Sequence, residues 1–318
     1  MISVIIPVYN GEKTIKECLI SLAKQTRKPD EIIVVDDGSE DRTKEIVKEF
    51  VGKPVKLIEQ KHKGPASARN LGAKKAKGKI VLFTDADCIP NERWVSEMTK
   101  PFEKKGVVGV QGVYRTKQRD VIARFVQLEI EDRYDRMRKF ETIDFIGSYS
   151  AAYKKDVFLK FGGFDESFPT ASGEDPELSF KLSKLGYKMV LNEKAIVYHK
   201  HVSSLSAYLK KKFWRAYWRV LLYRKHPKKI AKESYTPQTL KFQILSFYFF
   251  ILLAILSLFL PFAMYFSAFF LLLLFSLTLP LSFKNFKKDR TIGLLTPFIS
   301  ILRTTAFAFG LVYGVIKL

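Results

Sequence analysis

Apolar positions in the first two hundred residues fall in short runs at 3–7, 31–35, 55–58 and 79–83. Each is rich in Ile, Val or Leu and too short for a helix, so each predicts a strand. Between them the spacing turns helical. Over 12–24, Ile15, Leu19 and Leu22 share one face. The stretch 40–50 follows Ser39, a residue suited to an N-cap, and 65–76 is the third helical segment. Strands alternating with helices predict an α/β domain built on a parallel sheet.

The pattern changes after residue 205. Between Lys210 and Lys232 the chain carries ten basic residues and no acid, with Phe213, Trp214, Tyr217, Trp218, Leu221 and Leu222 interleaved at helical spacing. Aromatics at headgroup depth and cations on anionic lipid suit an interfacial helix. No charge occurs from Phe242 to Phe283, and Pro261 stands near the middle of that run. A helix needs roughly 20 apolar residues to cross a bilayer. The run therefore predicts a transmembrane hairpin, 243–260 and 263–282; buried core helices are the other reading, but those normally keep a polar face. A basic knot at 284–290 precedes a third apolar segment, 292–316, interrupted by Arg303. It is expected to span or to lie partly in the interface, with Arg303 paired or facing other helices. The predicted organisation is a catalytic domain at 1–205, a basic aromatic linker helix at 206–241 and a membrane domain at 242–318.

The chain has 318 residues, 47% of them hydrophobic, and a formal net charge of +22. That charge calls for an anionic partner: phosphate-bearing substrate, anionic lipid or nucleic acid. The basic helix stands directly before the membrane hairpin, which favours lipid and argues against nucleic acid. Basic segments on both sides of the hairpin predict a cell-membrane protein with its catalytic domain in the cytoplasm. Two cysteines, Cys18 and Cys88, make neither a zinc motif nor a disulfide framework. The opening residues lack the basic region of a secretory leader.

Ligands of parallel α/β sheets bind beyond the carboxyl ends of the strands. Three predicted strands end in polar residues: Tyr9-Asn10-Gly11, Asp36-Asp37-Gly38-Ser39 and Asp85-Ala86-Asp87. Gly72 to Lys79 resembles a P-loop but has one residue too many, and no GxGxxG follows the first strand. Asp85 and Asp87, at i and i+2 of an extended segment, point the same way and can share a hard divalent cation, Mg²⁺ or Mn²⁺, that bridges to phosphate. A turn residue plus a helix cap is the bland reading of the same pair.

These motifs, in order, resemble the family 2 glycosyltransferases of the GT-A fold. The resemblance covers residues 1–205. It rests on SVIIPVYNGEKTI, IIVVDDGSEDRT, GPASARNLGAKKAKGKIVLFTDAD, GGFDESF and GEDPELSFKLSKLGYKMVL. It implies a nucleotide-sugar-binding domain with a mixed, mostly parallel sheet flanked by helices. It places Pro7, Val8 and Tyr9 in the nucleoside pocket, Asp37 on the base with Asp36 supporting it, and Arg69 on the nucleotide. Asp85 would lie by the ribose and metal with Ala86 beside it, and Asp87 would ligate the metal. Asp175 would be the general base, with Glu174 as its catalytic neighbour. Pro176 suits a first helical position, so the residues alone make Asp175 an equally good N-cap; a cap at Ser172 would free it. His199 is either a further metal ligand or a surface histidine at a strand end. His201 is expected to face elsewhere.

The chain departs from the family at 147–155, where Tyr149 stands in a segment that would shape the sugar pocket. It also lacks the QxxRW motif of processive synthases; Lys212 to Ala216 offers only an aromatic and an arginine. The expected activity is a single inverting transfer from a nucleotide-diphospho-sugar to a lipid or lipid-linked glycan. A catalytically inactive nucleotide-sugar-binding scaffold and a basic nucleic-acid-binding membrane protein are the alternatives.

Overall fold

A computed structural model describes residues 1–52, 54–168, 172–230, 233–234 and 236–318. Lys232, the last residue of the basic stretch, lies outside them. The chain divides into two compact units: residues 1–117 with 134–200, and residues 118–133 with 201–318.

The first unit is built on one sheet. Its strands are β1 (Ile2–Val8), β2 (Glu31–Asp36), β3 (Val55–Glu59), β4 (Ile80–Thr84), β5 (Cys88–Pro90), β6 (Val107–Arg115), β7 (Ser150–Lys154) and β8 (Lys188–His199), in the order β3-β2-β1-β4-β7-β6-β8-β5. β1 to β4 are parallel, as their alternation with helices requires. β7 runs antiparallel to β4 and β6, and β5 antiparallel to β8, so the sheet is mixed. Helices α1 (Ile15–Ala23), α2 (Thr43–Lys48), α3 (Pro65–Lys75), α4 (Trp94–Thr99), α5 (Val121–Met137), α6 (Lys155–Lys160) and α7 (Glu174–Lys184) follow in chain order; α5 starts in the second unit and ends in the first. Every position of β1 and β2 is buried. Both faces of these strands are covered, which is why they read as unbroken apolar runs.

The strand order reverses between β1 and β4. β1 is followed on one side by β2 and β3, and the chain then returns to add β4 on the other. Such a reversal leaves a crevice at the carboxyl edge. Pairing of β1 with β4 stops at Ile5 opposite Phe83. Pro7, which has no N–H to donate, lies beyond that last pair.

One carboxylate fastens the opposite edge. Glu31 is buried and accepts hydrogen bonds from Ser3 Oγ at 2.6 Å and Lys56 Nζ at 2.7 Å. Burial works to raise its pKa, but Lys56, Ser3 and the Lys77 amide stabilise the ionised form and bring it down from 4.5 to about 2.

In the second unit the helices are α8 (Leu205–Lys225), α9 (Gln238–Leu256), α10 (Ala263–Ser276), α11 (Leu279–Lys288) and α12 (Arg290–Lys317). Three stretches, Gln238–Leu256, Ala263–Lys288 and Arg290–Lys317, are long and apolar enough to cross a membrane. α8 packs against α12 so closely that a Cβ on Gly310 would sit 2.3 Å from the Phe213 carbonyl oxygen. Only glycine permits that approach. The basic residues of α8 fall into two sets. Lys210, Lys211, Arg224 and Lys225 are exposed, whereas Lys212 and Arg219 are buried. Lys212 Nζ lies 2.6 Å from Glu129 Oε2, and Arg303 Nη1 lies 3.0 Å from Glu129 Oε1. Arg303 also donates to Gln243 Oε1 at 2.8 Å. The charge in the third apolar segment is thus paired. Burial pulls the Glu129 carboxyl upward, but the Lys212 and Arg303 charges outweigh it and hold it well below the usual carboxylate range.

Two stability predictions follow from these carboxylates. Glu129→Ala leaves two buried cations without their anion, and breaking such a pair costs about 3–5 kcal/mol. Thermal unfolding of the detergent-purified chain should show a clearly lowered midpoint, with Lys210→Ala unchanged; equal midpoints would mean the cluster contributes nothing. Glu31 has a lower pKa folded than unfolded, so the stability it supplies is complete above pH 4.5 and is lost as the pH falls toward 2. Unfolding midpoints measured across that window should fall less steeply for Glu31→Gln than for the natural chain.

Candidate functional site

The carboxyl ends of β1, β2 and β4 bring three loops to one edge of the sheet. Asn10 adopts φ 51°, a left-handed conformation that asparagine tolerates. Its backbone N–H donates to Ser39 Oγ at 2.9 Å and its Oδ1 accepts from the Glu40 N–H at 2.9 Å. The first two loops are therefore laced together. Pro7 and Val8 are buried and Tyr9 is exposed at the rim.

Asp36 and Asp37 are both buried but do different things. Asp36 Oδ1 accepts from the Gly38 and Ser39 N–H groups, closing its own turn. Asp37 faces the loop that leads into α3. Its Oδ1 accepts from Gln60 Nε2 at 2.6 Å and Lys63 N at 2.9 Å; its Oδ2 accepts from Gly64 N at 2.9 Å and lies 2.9 Å from His62 Nδ1. Gly38, at φ 81°, lets this loop come close: a Cβ there would lie 2.9 Å from the His62 nitrogen.

Arg69 projects from α3 and is 2% exposed. Its Nη2 donates to Asp85 Oδ1 at 2.7 Å and its Nη1 to Glu174 Oε1 at 3.1 Å. Burial works to lower the guanidinium pKa, but Asp85 and Glu174 more than reverse it. Glu174 Oε2 accepts from the Ser172 and Gly173 N–H groups. Both oxygens of this buried carboxylate are engaged, so Glu174 holds the start of α7 in place.

The alternative reading of Asp175 as an N-cap does not match this geometry. α7 begins at Glu174 and its N-cap is Gly173, with no side-chain capping bond. The cap position is Gly173 rather than Asp175 or Ser172, and the Glu174 carboxylate reaches back to the N–H groups that precede the helix. Asp175 lies inside the first turn, half-buried, with Oδ2 accepting from Ser148 N at 3.2 Å.

Beyond β4, Asp85, Asp87 and Cys88 bring one donor atom each to within 4.8 Å of one another. Cys88 stands opposite His199 in the β5–β8 pairing, which carries His199 Nε2 to 3.1 Å from Asp87 Oδ2. Burial, then the Asp85 and Asp87 charges, push the Cys88 thiol well up, and a soft sulfur suits a hard cation less well than oxygen does. Two carboxylates and an imidazole remain, a donor set that fits Mg²⁺ or Mn²⁺. Behind His199 stands an aromatic stack that the sequence did not reveal: Tyr114 lies 4.8 Å from the His199 ring and 3.7 Å from the Tyr149 ring. Tyr149 is thereby tied up in packing, its hydroxyl 2.7 Å from that of Tyr134. His201 belongs to the second unit, where it bonds Gln127.

Comparison with known proteins agrees with this geometry. The family described as "Glycosyl transferase family 2" matches residues 3–162. Glycosyltransferase AglE of Haloferax volcanii is 30% identical over 208 residues, covering 62% of this chain and 66% of that protein. Glycosyltransferase GlyA of Streptococcus pneumoniae is 32% identical over 233 residues, covering 68% of this chain and 32% of that protein. The chain thus spans about two-thirds or less of the length of these curated relatives. Among solved structures, the mannosyltransferase PcManGT from Pyrobaculum calidifontis, in complex with GDP-Man and Mn2+, superposes with a TM-score of 0.64 over 99% of this chain and 86% of that one, at 22% identity. That likeness establishes the GT-A fold.

The donor set makes a direct prediction. In an electron paramagnetic resonance titration of the natural chain Mn²⁺ should bind; Asp87→Asn should abolish that binding and His199→Gln should weaken it. Undiminished Mn²⁺ binding by Asp87→Asn would refute the site.

Proposed function

This chain belongs to glycosyl transferase family 2, and from that premise we propose that it transfers a sugar, with inversion, from a nucleotide-diphospho-sugar to a lipid or lipid-linked glycan. The carrying observation is the buried Arg69, which joins Asp85 of the cation pair to Glu174 at the start of the Asp175 helix.

The donor lies along the carboxyl edge, with Pro7, Val8 and Tyr9 at the nucleoside and Asp85, Ala86 and Arg69 nearer the diphosphate. Asp87, Asp85 and His199 would hold a Mg²⁺ or Mn²⁺ ion, which when bound would supply positive charge for the departing diphosphate. The GDP-Man and Mn2+ of the structural neighbour support this donor class. Asp175 accepts the proton of an acceptor hydroxyl. That oxygen bonds to the anomeric carbon from the face opposite the leaving group, the bond to the diphosphate oxygen breaks, and the nucleoside diphosphate leaves with the electron pair. Glu174, engaged through both oxygens, positions Asp175 and takes no proton.

The membrane assignment rests on the three long apolar helices and the exposed cations of α8. They favour the cell membrane, the cytoplasmic leaflet and an acceptor embedded in lipid.

A donor screen on purified protein with native lipid extract, following nucleoside diphosphate release, tests the reaction class. Asp175→Asn should keep donor affinity while turnover falls by about 10²–10⁴-fold, the usual contribution of a general base. Full turnover with unaltered stability would refute the base and point to an acceptor whose nucleophile, such as a phosphate, is already ionised.

A further inference from the structure

Strand pairing fixes where His199 stands but not where its ring points. The residue ends β8, opposite Cys88 of β5 and one position beyond the last pair with β6, Arg115 with Tyr198. The second side-chain torsion of histidine is broad, so an imidazole at a strand end swings unless something packs on it. Tyr114 packs on it. Tyr114 pairs with Val197 in the β6–β8 register, and residues two apart on a strand share a side, so Tyr114 and His199 project from the same face of the sheet. Their ring centroids are 4.8 Å apart and the planes are tilted by 37°. The His199 side chain is 12% exposed, whereas Asp87, 3.1 Å from its Nε2, is 52% exposed. The ring is covered while the carboxylate it faces stays open to solvent. Tyr114 is itself held in two ways. Its ring stacks on that of Tyr149 at 3.7 Å and 12°. Its backbone N–H donates at 2.8 Å to the hydroxyl of Tyr134, a buried residue in the last turn of α5, and that same hydroxyl lies 2.7 Å from the Tyr149 hydroxyl. A hydroxyl can accept from one group while bonding another, so one oxygen ties both stacked residues together.

We propose that Tyr114 is a positioning residue for the cation site: its ring, held by Tyr134 and Tyr149, keeps the His199 imidazole aimed at Asp87. A ligand ordered in advance loses less rotamer freedom when the ion arrives, so binding is tighter for the same contacts. The consequence is a choice of ion. Mg²⁺ binds through oxygen and gives up its waters reluctantly, so a nitrogen held ready beside the carboxylates favours Mn²⁺. Without the stack the imidazole swings away, and the site becomes a pair of carboxylates that treats the two ions more alike. The ring of Tyr114, not its hydroxyl, carries this role, and it acts only through His199. The inference rests on the cation reading of Asp85, Asp87 and His199 and goes beyond it by naming what sets the selectivity of that site.

The test measures ion binding rather than turnover. Mn²⁺ would be titrated into the detergent-purified full chain by electron paramagnetic resonance, with Mg²⁺ affinity read by competition. Spin-echo modulation from an imidazole nitrogen reports His199 on the bound Mn²⁺. Tyr114→Leu should weaken Mn²⁺ binding by about 10–100-fold, the usual effect of losing an outer partner of a metal ligand, while Mg²⁺ affinity stays near that of the natural chain. Tyr114→Phe keeps the ring and should bind both ions as the natural chain does. Tyr134→Phe, which removes only the hydroxyl that ties the stack, should lower Mn²⁺ affinity in the same direction as Tyr114→Leu. In a His199→Gln background Tyr114→Leu should have no further effect, because the two residues act as one unit. Equal losses of Mn²⁺ and Mg²⁺ affinity, or a loss that adds in full to that of His199→Gln, would overturn the proposal, since Tyr114 would then only support the fold. So would Tyr114→Phe that binds like Tyr114→Leu. If the natural chain binds Mn²⁺ without imidazole modulation, His199 is no ligand, and the role of Tyr114 falls while the transferase reading stands. If the natural chain binds neither ion, the cation reading falls first and this inference with it.

Discussion

A single buried guanidinium, that of Arg69, holds the chemistry together. It reaches Asp85 after β4 with one nitrogen and Glu174 at the start of α7 with another. An ion pair at 2% and 1% exposure, such as Arg69 with Glu174, gains little net stability, because desolvation offsets the attraction. Its value lies in geometry. Arginine's planar fork fixes two carboxylates at once, which lysine cannot do. One of those carboxylates belongs to the cation pair, and the other sets where Asp175 points. Removing the guanidinium would leave Glu174 charged, buried and held only by backbone N–H groups.

Helix α3 connects the Asp37 loop to the Asp85 carboxylate. Asp37 binds the Gly64 N–H at the N-cap of α3, Pro65 provides the preset first turn, and Arg69 follows on that helix. A perturbation at Asp37 therefore reaches Arg69 through a rigid element rather than a flexible loop. The Asp87 carboxylate and the aromatic stack are coupled in a similar way, since the pairing of Cys88 with His199 sets the imidazole beside Asp87 while Tyr114 packs on its ring. The site is preorganised by elements whose other faces are core.

Much of this was legible in the sequence, for physical reasons. β1 and β2 are buried on both faces, so their unbroken Ile and Val runs stood out, and their polar ends marked the edge. Asp85 and Asp87 were legible because extended residues two apart share a side. For Glu174 the sequence shows an acid beside Asp175, but not that Arg69, distant in the chain, engages it. The alternative reading of Asp175 as an N-cap does not hold because the helix starts one residue earlier, at Glu174, with Gly173 at the cap position. His62 was invisible, since a histidine between lysines in a polar loop has no periodicity, and only the fold lays it on Tyr9. β5, β6 and β7 were not anticipated, and β8 only at its His199 end. β5 is three residues long, and most positions of β8 are half-buried, so neither gives a strong run.

The net charge of +22 also needs dividing before it can be interpreted. Lys212 and Arg219 face inward to Glu129 and Glu233, while Lys210, Lys211 and Lys225 face outward on the same helix. Charges of the two kinds answer to different physics. The inward ones sit among low-dielectric neighbours, beyond easy reach of salt, and serve to bind α8 to α5 and α12. The outward ones face water and are screened within about a Debye length. Counting all of them as a lipid-binding field overstates the attraction to anionic membranes and understates the cost of their removal. Substituting Lys212 along with its exposed neighbours would confound unfolding with loss of membrane contact. The two functions separate along the helix because 3.6 residues per turn place Lys210 and Lys211 on a different face from Lys212 and Arg219. One basic segment can thus fasten the second unit internally and still present cations to an anionic surface.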